Sequence, residues 1–224
     1  MPSIAFEDYL KCIYKLEDAL PVDNGGRGVS TSSIAERLGI SQASVTAMLK
    51  KLAERGLVRH ERYQGAMLTD EGRRIAVEMI RRHRIIELFL VRMLGLRWDE
   101  VDAEAEVLEH AFSEKVVNRL WDVLGRPDAD PHGSPIPPPN ALLQESRALV
   151  PLSEAPLDSW HRIARLQERR PEELRYLAEH ALHPGASVRV VEVAPFKGPL
   201  LIEVEGRLHP LDLALADAIF VHRS

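Results

Sequence analysis

The stretch STSSIAERLGISQASVTAMLKKLAERG, residues 30–56, decides the fold. Hydroxyl side chains stand before each of its two apolar-periodic segments, where they can cap a helix N-terminus. Gly39 and Gly56 follow the two segments, and glycine commonly ends a helix. Val45 and Leu49 are four residues apart and so share one face of the second segment. The stretch therefore predicts two short helices joined by a tight turn, which is the helix-turn-helix arrangement.

A short basic hairpin is predicted after these two helices. Residues 57–60 and 66–69 are typical of strands around a turn at residues 63–65. Between Ser41 and Arg62, five basic residues stand against two acidic ones. This order of elements predicts a winged helix-turn-helix, whose second helix enters the DNA major groove while the wing lies along the backbone. A pair of surface helices with an ordinary solvated polar face is the alternative interpretation.

The exposed face of the second helix carries side chains suited to DNA. Small hydrogen-bonding groups can reach base edges, and the nearby bases can hold phosphates. The net charge of the whole chain is −5, which argues against non-specific coating of nucleic acid but leaves binding at one basic surface open. The predicted DNA-binding residues are Ser41, Gln42, Ser44, Thr46, Lys50, Lys51 and Arg62.

The rest of the chain predicts more helices and then a smaller β part. A helical period indicates a first helix over residues 5–20, and long helices are expected over 70–93 and 99–124. The proline-rich stretch 126–140 is expected to be an extended linker. Beyond it, short segments rich in Val, Ile and Leu predict strands of a small, partly open β-barrel, with one helix near residues 172–180. These segments are residues 159–166, 186–194, 199–206 and 217–223. The predicted fold class is therefore mainly α with a smaller β part.

Composition excludes several classes of protein. The chain has no apolar run near the roughly 18 residues that span a membrane, and its N-terminus has no signal-peptide pattern. Cys12 is the single cysteine, which excludes an internal disulfide framework and a cysteine-rich zinc site. We expect a soluble protein of a reducing cytoplasm, without a membrane partner.

Acidic and histidine side chains recur at helical spacing in the two long helices. His83 and Glu87 are four residues apart, and Glu106 precedes Glu109 and His110 by three and four, so each set shares a helix face. Seven acidic residues and no basic one lie between Asp99 and Glu114, and a bound cation would relieve their repulsion. Solvated surface residues would give the same pattern. From spacing alone, a cation site and a solvated face remain equally open.

Three motifs carry a resemblance to a known family. RRHRIIELFL at 81–90, EAEVLEHAFSEKV at 104–116 and DPHGSPIP at 130–137 follow the predicted winged helix in order. Over essentially its whole length the chain resembles the diphtheria toxin repressor and manganese transport regulator family. That resemblance implies three domains: a winged helix-turn-helix at 1–72, a helical metal-binding and dimerisation domain with the linker at 73–140, and a small β-barrel at 141–224.

The resemblance also implies a divalent metal that ties the first helix to the fourth and fifth. It places ligands at Asp8, Glu106, Glu109 and His110, and at a second position at His83 and Glu87, with Asp102 as a further candidate. It aligns Gln167 and Glu168 with an ancillary site to which the β-barrel contributes. On its own, Asp8 would be interpreted as a first-turn acid that complements the helix dipole.

The metal expected from these ligands is Mn(II), with Fe(II) second. The iron-responsive branch has softer Cys and Met side chains where this chain has Glu106 and Asp8, and carboxylates suit Mn(II). Manganese regulators with a closely bridged ion pair carry an acid where Lys11 stands, so such a pair is not expected here. Cys12 is expected to be a packed thiol.

The expected function is a Mn(II)-dependent transcriptional repressor that binds operator DNA as a homodimer and controls metal homeostasis. The expected mechanism is that metal fixes the first helix, so that two winged helices take the spacing of successive major grooves. Two alternatives come from other classes: a metallohydrolase that uses the His and Glu cluster, and a regulator that senses an organic ligand.

Overall fold

The computed structural model describes residues 3–18, 28–61, 64–139, 149–167, 170–196 and 198–222. The chain divides into two compact units, and the division falls inside one helix, between Arg82 and His83. The helices are α1 (Ile4–Asp18), α2 (Thr31–Leu38), α3 (Gln42–Glu54), α4 (Asp70–Leu94), α5 (Val101–Ala111), α6 (Glu114–Val123), α7 (Pro171–Glu179) and α8 (Leu213–Ala216). The strands are β1 (Val58–Glu61), β2 (Gly65–Leu68), β3 (Leu149–Pro151), β4 (Trp160–Leu166), β5 (Ser187–Val193), β6 (Leu200–Val204), β7 (Arg207–Leu211) and β8 (Ile219–His222).

The first unit contains the predicted helix-turn-helix. Ser30 and Ser41 cap α2 and α3, and each side chain accepts a hydrogen bond from the backbone N–H three residues later. Gly39 ends α2 at φ 66°, a left-handed conformation that glycine adopts without steric cost. Val45 and Leu49 have no exposed surface, because they pack into the core shared with α1. The helix and cap predictions for residues 30–56 are confirmed.

The wing is an antiparallel hairpin of β1 and β2. Glu17 ties α1 to it, because one carboxylate oxygen accepts from the Leu68 N–H at 2.7 Å and the other from Arg73 at 2.5 Å. The predicted DNA residue Arg62 and the turn residue Tyr63 lie outside the described residues, as does the predicted end of the first helix beyond residue 18.

The second unit begins with the C-terminal half of α4. Apolar side chains of α4 pack against α5 in one cluster that includes Ile86 and Ala105, and against α6 in another that includes Ile85 and Val117. The prediction of one continuous helix over residues 99–124 is wrong. Phe112 adopts an extended conformation at φ −82° and ψ 130°, and Ser113 then caps α6, so the chain turns between two shorter helices.

The prediction of an extended linker over residues 126–140 is also wrong in its middle. Residues 128–136 form a hydrogen-bonded turn, which we call the 128–136 turn. Its backbone bonds run from Asp130 N–H to Ser134 O at 3.0 Å and from Ile136 N–H to Asp128 O at 2.8 Å. Prolines did not prevent folding, because none of these donors is a proline nitrogen.

The C-terminal part is a six-stranded antiparallel sheet in the order β3-β8-β4-β5-β6-β7. Four of these strands and α7 lie where the apolar segments predicted them, and β3 and β7 were missed. Pro210 lies within β7, which is tolerated because β7 is an edge strand and Pro cannot donate to a neighbour. Among the described strands, β3 and β7 pair with one neighbour each, so the sheet is open at these edges. No helix among the described residues is long and apolar enough to cross a membrane.

Candidate metal centre

His83 lies at the centre of a ring of carboxylates. Its side chain is buried on α4, and its Nδ1–H donates to Glu109 Oε2 at 2.7 Å. Nε2, on the other side of the ring, lies 3.4 Å from Glu87 Oε1 and 3.4 Å from Asp102 Oδ1. Because the Glu109 carboxylate can only accept, Nδ1 carries a proton, and Nε2 is the ring nitrogen that faces the two other carboxylates.

The charge around His83 favours a cation at this position. Burial alone would lower the pKa of His83, but the surrounding carboxylates, first that of Glu87, outweigh burial and raise the pKa well above 6.5. Burial would likewise raise the pKa of Glu87, but the positive charge of His83 lowers it below its ordinary value. Protonated His83 therefore balances the carboxylates when no metal is bound, and a metal would take the place of its Nε2 proton.

Two sets of donor atoms in the second unit are close enough to surround one ion each. In each set the donor atoms lie within 4.8 Å of one another. The first group is His83, Asp102 and Glu106, with one buried and two half-buried members. The second group is Glu87, Asp130 and His132, all of them buried.

His132 enters the second group with a fixed ring orientation. Its Nε2–H donates to the Trp98 carbonyl oxygen at 3.0 Å, because a carbonyl oxygen can only accept. Nδ1, the other ring nitrogen, lies 3.5 Å from Glu87 Oε1. A backbone carbonyl that orients a histidine in this way is the usual outer contact of a metal-binding imidazole.

Asp130 is held in place by the 128–136 turn itself. Its Oδ1 accepts the His132 N–H at 2.8 Å and the Ser134 N–H at 2.9 Å. Burial, followed by the charge of Glu87, raises the pKa of Asp130 to about 6. Gly133 lets the turn approach the sheet, since a Cβ there would stand 2.1 Å from the Ala164 carbonyl oxygen, and its φ is +84°.

The donor set fits a hard divalent cation. His83 Nε2 is buried and makes no hydrogen bond to any side chain or backbone group in the described part of the chain, although two carboxylate oxygens face it. A buried polar atom normally forms a hydrogen bond, so the missing hydrogen bond at Nε2 needs an explanation. Carboxylate oxygens combined with one imidazole nitrogen suit Mn(II) or Fe(II).

The structure brings most of the predicted ligands of the second unit together. Glu106 lies within reach of His83 and Asp102, and its place beside Asp8, which the resemblance implies, stays a prediction. Glu109 contacts His83 through Oε2, and its Oε1 lies 3.6 Å from His110 Nε2. Asp8 is half-buried on α1, in the first unit, and its role as a ligand stays a prediction.

The ancillary ligands remain predictions. Gln167 is exposed and directly follows Leu166, whose N–H donates to the His132 carbonyl at 2.8 Å. Glu168 lies outside the described residues. Cys12 is buried, and burial raises the pKa of its thiol to about 11, as expected for a packed thiol.

Two candidate ligands escaped prediction, Asp130 and His132. Both lie in the motif DPHGSPIP, which carried part of the family resemblance but was predicted to be an extended linker with no ligand in it. The sequence offered one indication of these ligands, a carboxylate and an imidazole two residues apart beside a glycine. A folded turn can bring two such side chains close together. Recognising it requires the contact with α4, which is distant in the sequence.

The predicted DNA-binding face of α3 is exposed. Gln42, Lys50 and Lys51 are exposed at its start and on its outer side. The hydroxyls nearby are partly engaged in the helix itself: Ser41 Oγ caps the Ser44 N–H at 3.2 Å, and Thr46 Oγ1 donates to the Gln42 carbonyl at 2.9 Å. Contact with DNA stays a prediction for these residues.

Three family models match consecutive parts of the chain. A model described as the iron dependent repressor N-terminal DNA binding domain matches residues 3–66, and one described as the iron dependent repressor metal binding and dimerisation domain matches residues 69–138. A FeoA domain model matches residues 150–223.

Individual relatives carry related names. The iron-dependent repressor IdeR of Mycobacterium tuberculosis is 40% identical over 133 residues, which are 58% of this chain and 54% of IdeR, so the match spans about half the length of that relative. The regulator MntR of Geobacillus kaustophilus is 33% identical over 124 residues, 55% of this chain and 83% of MntR. A solved manganese-dependent transcriptional repressor in complex with manganese has a TM-score of 0.87 and 37% identity, and the match covers 98% of this chain and 100% of that one.

Proposed function

Since this chain belongs to the iron-dependent repressor family, we propose that it is a Mn(II)-activated transcriptional repressor that binds DNA. The observation that carries the metal part is the buried His83 Nε2, which makes no hydrogen bond and faces two carboxylates. The solved relative in complex with manganese supports Mn(II), and the IdeR relatives support Fe(II) as a second metal. These relatives are regulators, which favours regulation over hydrolysis for this chain.

The first group and its neighbours supply the ligands in this proposal. His83, Asp102 and Glu106 would hold one ion, and Glu109 would orient His83 through its Nδ1–H. Bound Mn(II) supplies two positive charges that neutralise the surrounding carboxylates. The family resemblance implies a further position for which Asp8, Glu109 and His110 are proposed as ligands together with Glu106.

The second group would hold another cation. Glu87 comes from α4, and Asp130 and His132 come from the 128–136 turn, so this position joins two segments of the second unit. Gln167 follows the residue that binds the His132 carbonyl, which supports it as a further ligand from the sheet.

The DNA-binding part of the proposal rests on α3 and the wing. Gln42 is exposed at the first position of α3, where a side chain can reach a base edge, and Lys50 and Lys51 are exposed where they can neutralise phosphates. Metal binding would favour one arrangement of the winged helix over others, which is how a ligand shifts a conformational equilibrium.

The assembly proposed is a homodimer through α6. Val116 and Val123 are seven residues apart, so they share one face, and they are 43% and 53% exposed. An isologous contact between two such faces would cover them and would present two winged helices to a symmetric operator.

The test is the dependence of DNA binding on metal. Fluorescence anisotropy of a labelled duplex, obtained by selection from random DNA with Mn(II) present, should show tight binding with Mn(II) and weak binding with a chelator. The His83→Asn variant should bind weakly in both conditions, and Arg92→Gln, a change of an exposed α4 residue, should behave as wild type. Equal affinity of the wild type with Mn(II) and with chelator would contradict the proposal.

Metal identity has its own test. Glu106→Cys replaces a hard ligand by a soft one, so the response should move from Mn(II) toward Fe(II) or Zn(II). An unchanged metal profile would contradict the role given to Glu106.

A further inference from the structure

Arg84 holds the 128–136 turn at two points. Its Nη1 donates to the Pro135 carbonyl oxygen at 2.5 Å, and its Nε lies 3.4 Å from Asp130 Oδ2. The side chain is buried, with 6% of the residue surface exposed. A buried guanidinium that donates to one carbonyl and forms an ion pair with a nearby carboxylate has little freedom to move, so the turn is fixed relative to α4.

Arg84 also lies on the same side of α4 as a member of the second group. Glu87 is three residues further along the helix, and residues at this spacing are neighbours on one face. Arg84 therefore binds the turn close to the point where two side chains of the turn, Asp130 and His132, approach Glu87.

The two contacts of Arg84 differ in strength, and the weaker one involves the Asp130 oxygen that could bind a cation. The contact with the Pro135 carbonyl is a short hydrogen bond, whereas the buried Nε makes no hydrogen bond to any group in the described residues. Asp130 Oδ1 is engaged by two backbone N–H groups, so Oδ2 is the oxygen left for another partner. Arg84 thus anchors the turn through a carbonyl and leaves this carboxylate oxygen only loosely held.

We propose that Arg84 is the positioning residue of the second group. Its contacts with the 128–136 turn would set the affinity of Glu87, Asp130 and His132 for a hard divalent cation. The inference rests on the proposed function, because it takes these three residues as cation ligands. Arg84 itself carries a positive charge and is not a ligand. Its charge offsets one of the two carboxylates when no ion is bound, and its hydrogen bond to Pro135 keeps the donors converged.

Metal titration of matched variants tests this role. Mn(II) binding is measured by calorimetry and by the EPR signal of free Mn(II), in a Glu106→Gln background that weakens the first group so that the second group is observed. Arg84→Met should weaken binding by about 10- to 100-fold, the usual effect of losing a residue that orients a metal ligand. Arg84→Lys keeps the charge but cannot reach both acceptors, so its affinity should fall between those of Arg84→Met and the background.

Controls separate positioning from general damage. Arg92→Met changes an exposed arginine of the same helix and should bind as the background does. In a double-mutant cycle, Arg84→Met and Asp130→Asn should be clearly non-additive, because Arg84 acts through the turn that carries Asp130. If Arg84→Met does not fold by circular dichroism, the Lys variant alone decides, and it must still bind Mn(II) more weakly than the background.

The outcomes also distinguish this inference from the proposed function. Unchanged or tighter Mn(II) binding by Arg84→Met would overturn the inference, since repulsion of the cation by Arg84 would then outweigh positioning. Additive effects in the cycle would overturn it as well. Failure of the wild-type chain to bind Mn(II) would instead overturn the proposed function.

Discussion

Replacing Glu106 by Gln removes one charged donor from the first group and leaves the size of the side chain almost unchanged. Two of the three donors, His83 and Asp102, remain in place. Loss of a direct ligand should weaken Mn(II) binding by at least the upper end of the 10- to 100-fold range found for residues that only orient ligands.

The size of the effect on thermal stability follows from linkage. At a Mn(II) concentration 100 times the dissociation constant, binding at one site adds about 2.7 kcal/mol to the free energy of unfolding. A 100-fold weaker site adds only about 0.4 kcal/mol at the same concentration. For a chain of this size each kcal/mol moves the melting temperature by about 2–4 °C, so the Mn(II)-induced increase should be about 5–9 °C smaller in Glu106→Gln.

The assay is thermal unfolding by circular dichroism, with chelator and with Mn(II), at one pH. The difference between the two curves is compared across variants, so that any effect of the substitution on the metal-free protein cancels. Glu104→Gln is the matched control, because Glu104 is an exposed acid on the same helix, outside both groups. A Mn(II)-induced increase that is the same in Glu106→Gln as in the wild type and the control would refute the role of Glu106.

Further predictions concern pH, DNA and assembly. Burial and then Glu87 raise the pKa of Asp130 from 3.8 to about 6, so the metal-free fold keeps a proton on Asp130 that the unfolded chain releases in this range. The contribution of Asp130 to the unfolding free energy should therefore decrease as the pH rises from 3.8 to 6. Urea titrations of Asp130→Asn should lack this decrease, and a retained decrease would contradict the assignment. Gln42→Ala should cost about 1–3 kcal/mol of discrimination at one base pair, and Lys50→Ala should reduce the salt dependence of DNA binding by about one phosphate contact; anisotropy in graded salt measures both. Val123→Asp should shift the sedimentation coefficient toward a monomer, whereas an unaltered dimer would place the interface elsewhere.

The helices of the first unit could be predicted from the sequence because their signals are local. Ser30 and Ser41 immediately precede the helices that they cap, and Gly39 takes the left-handed conformation that its position required. A cap and a stop act within one turn of chain, so short-range patterns are sufficient to place them.

Predictions failed where a distant contact decides the structure. The 128–136 turn is held by Arg84 and by the bond from Leu166 N–H to the His132 carbonyl, and neither partner is near it in the sequence. The turn was therefore predicted to be an extended linker, and Asp130 and His132 were missed as candidate ligands. The break between α5 and α6 did have a local signal, the cap Ser113, which the apolar periodicity on both sides concealed.

Only part of the candidate site could be predicted from the spacing of acidic and histidine residues in the sequence. His83 and Glu87 at one spacing and Glu106 with Glu109 at another were consistent with a solvated acidic face. The structure places the side chains of His83, Glu87 and Glu109 in the interior, where a charge must be paired, and this burial favours a cation site.

A hard divalent cation is expected to bind between His83 and the carboxylates around it. Diffraction from crystals grown with Mn(II), recorded on both sides of the manganese absorption edge, tests it most directly. We predict an anomalous peak within bonding distance of His83 Nε2, Asp102 and Glu106, and another among Glu87, Asp130 and His132. A map with Mn(II) bound elsewhere and no peak beside His83 Nε2 would contradict the account.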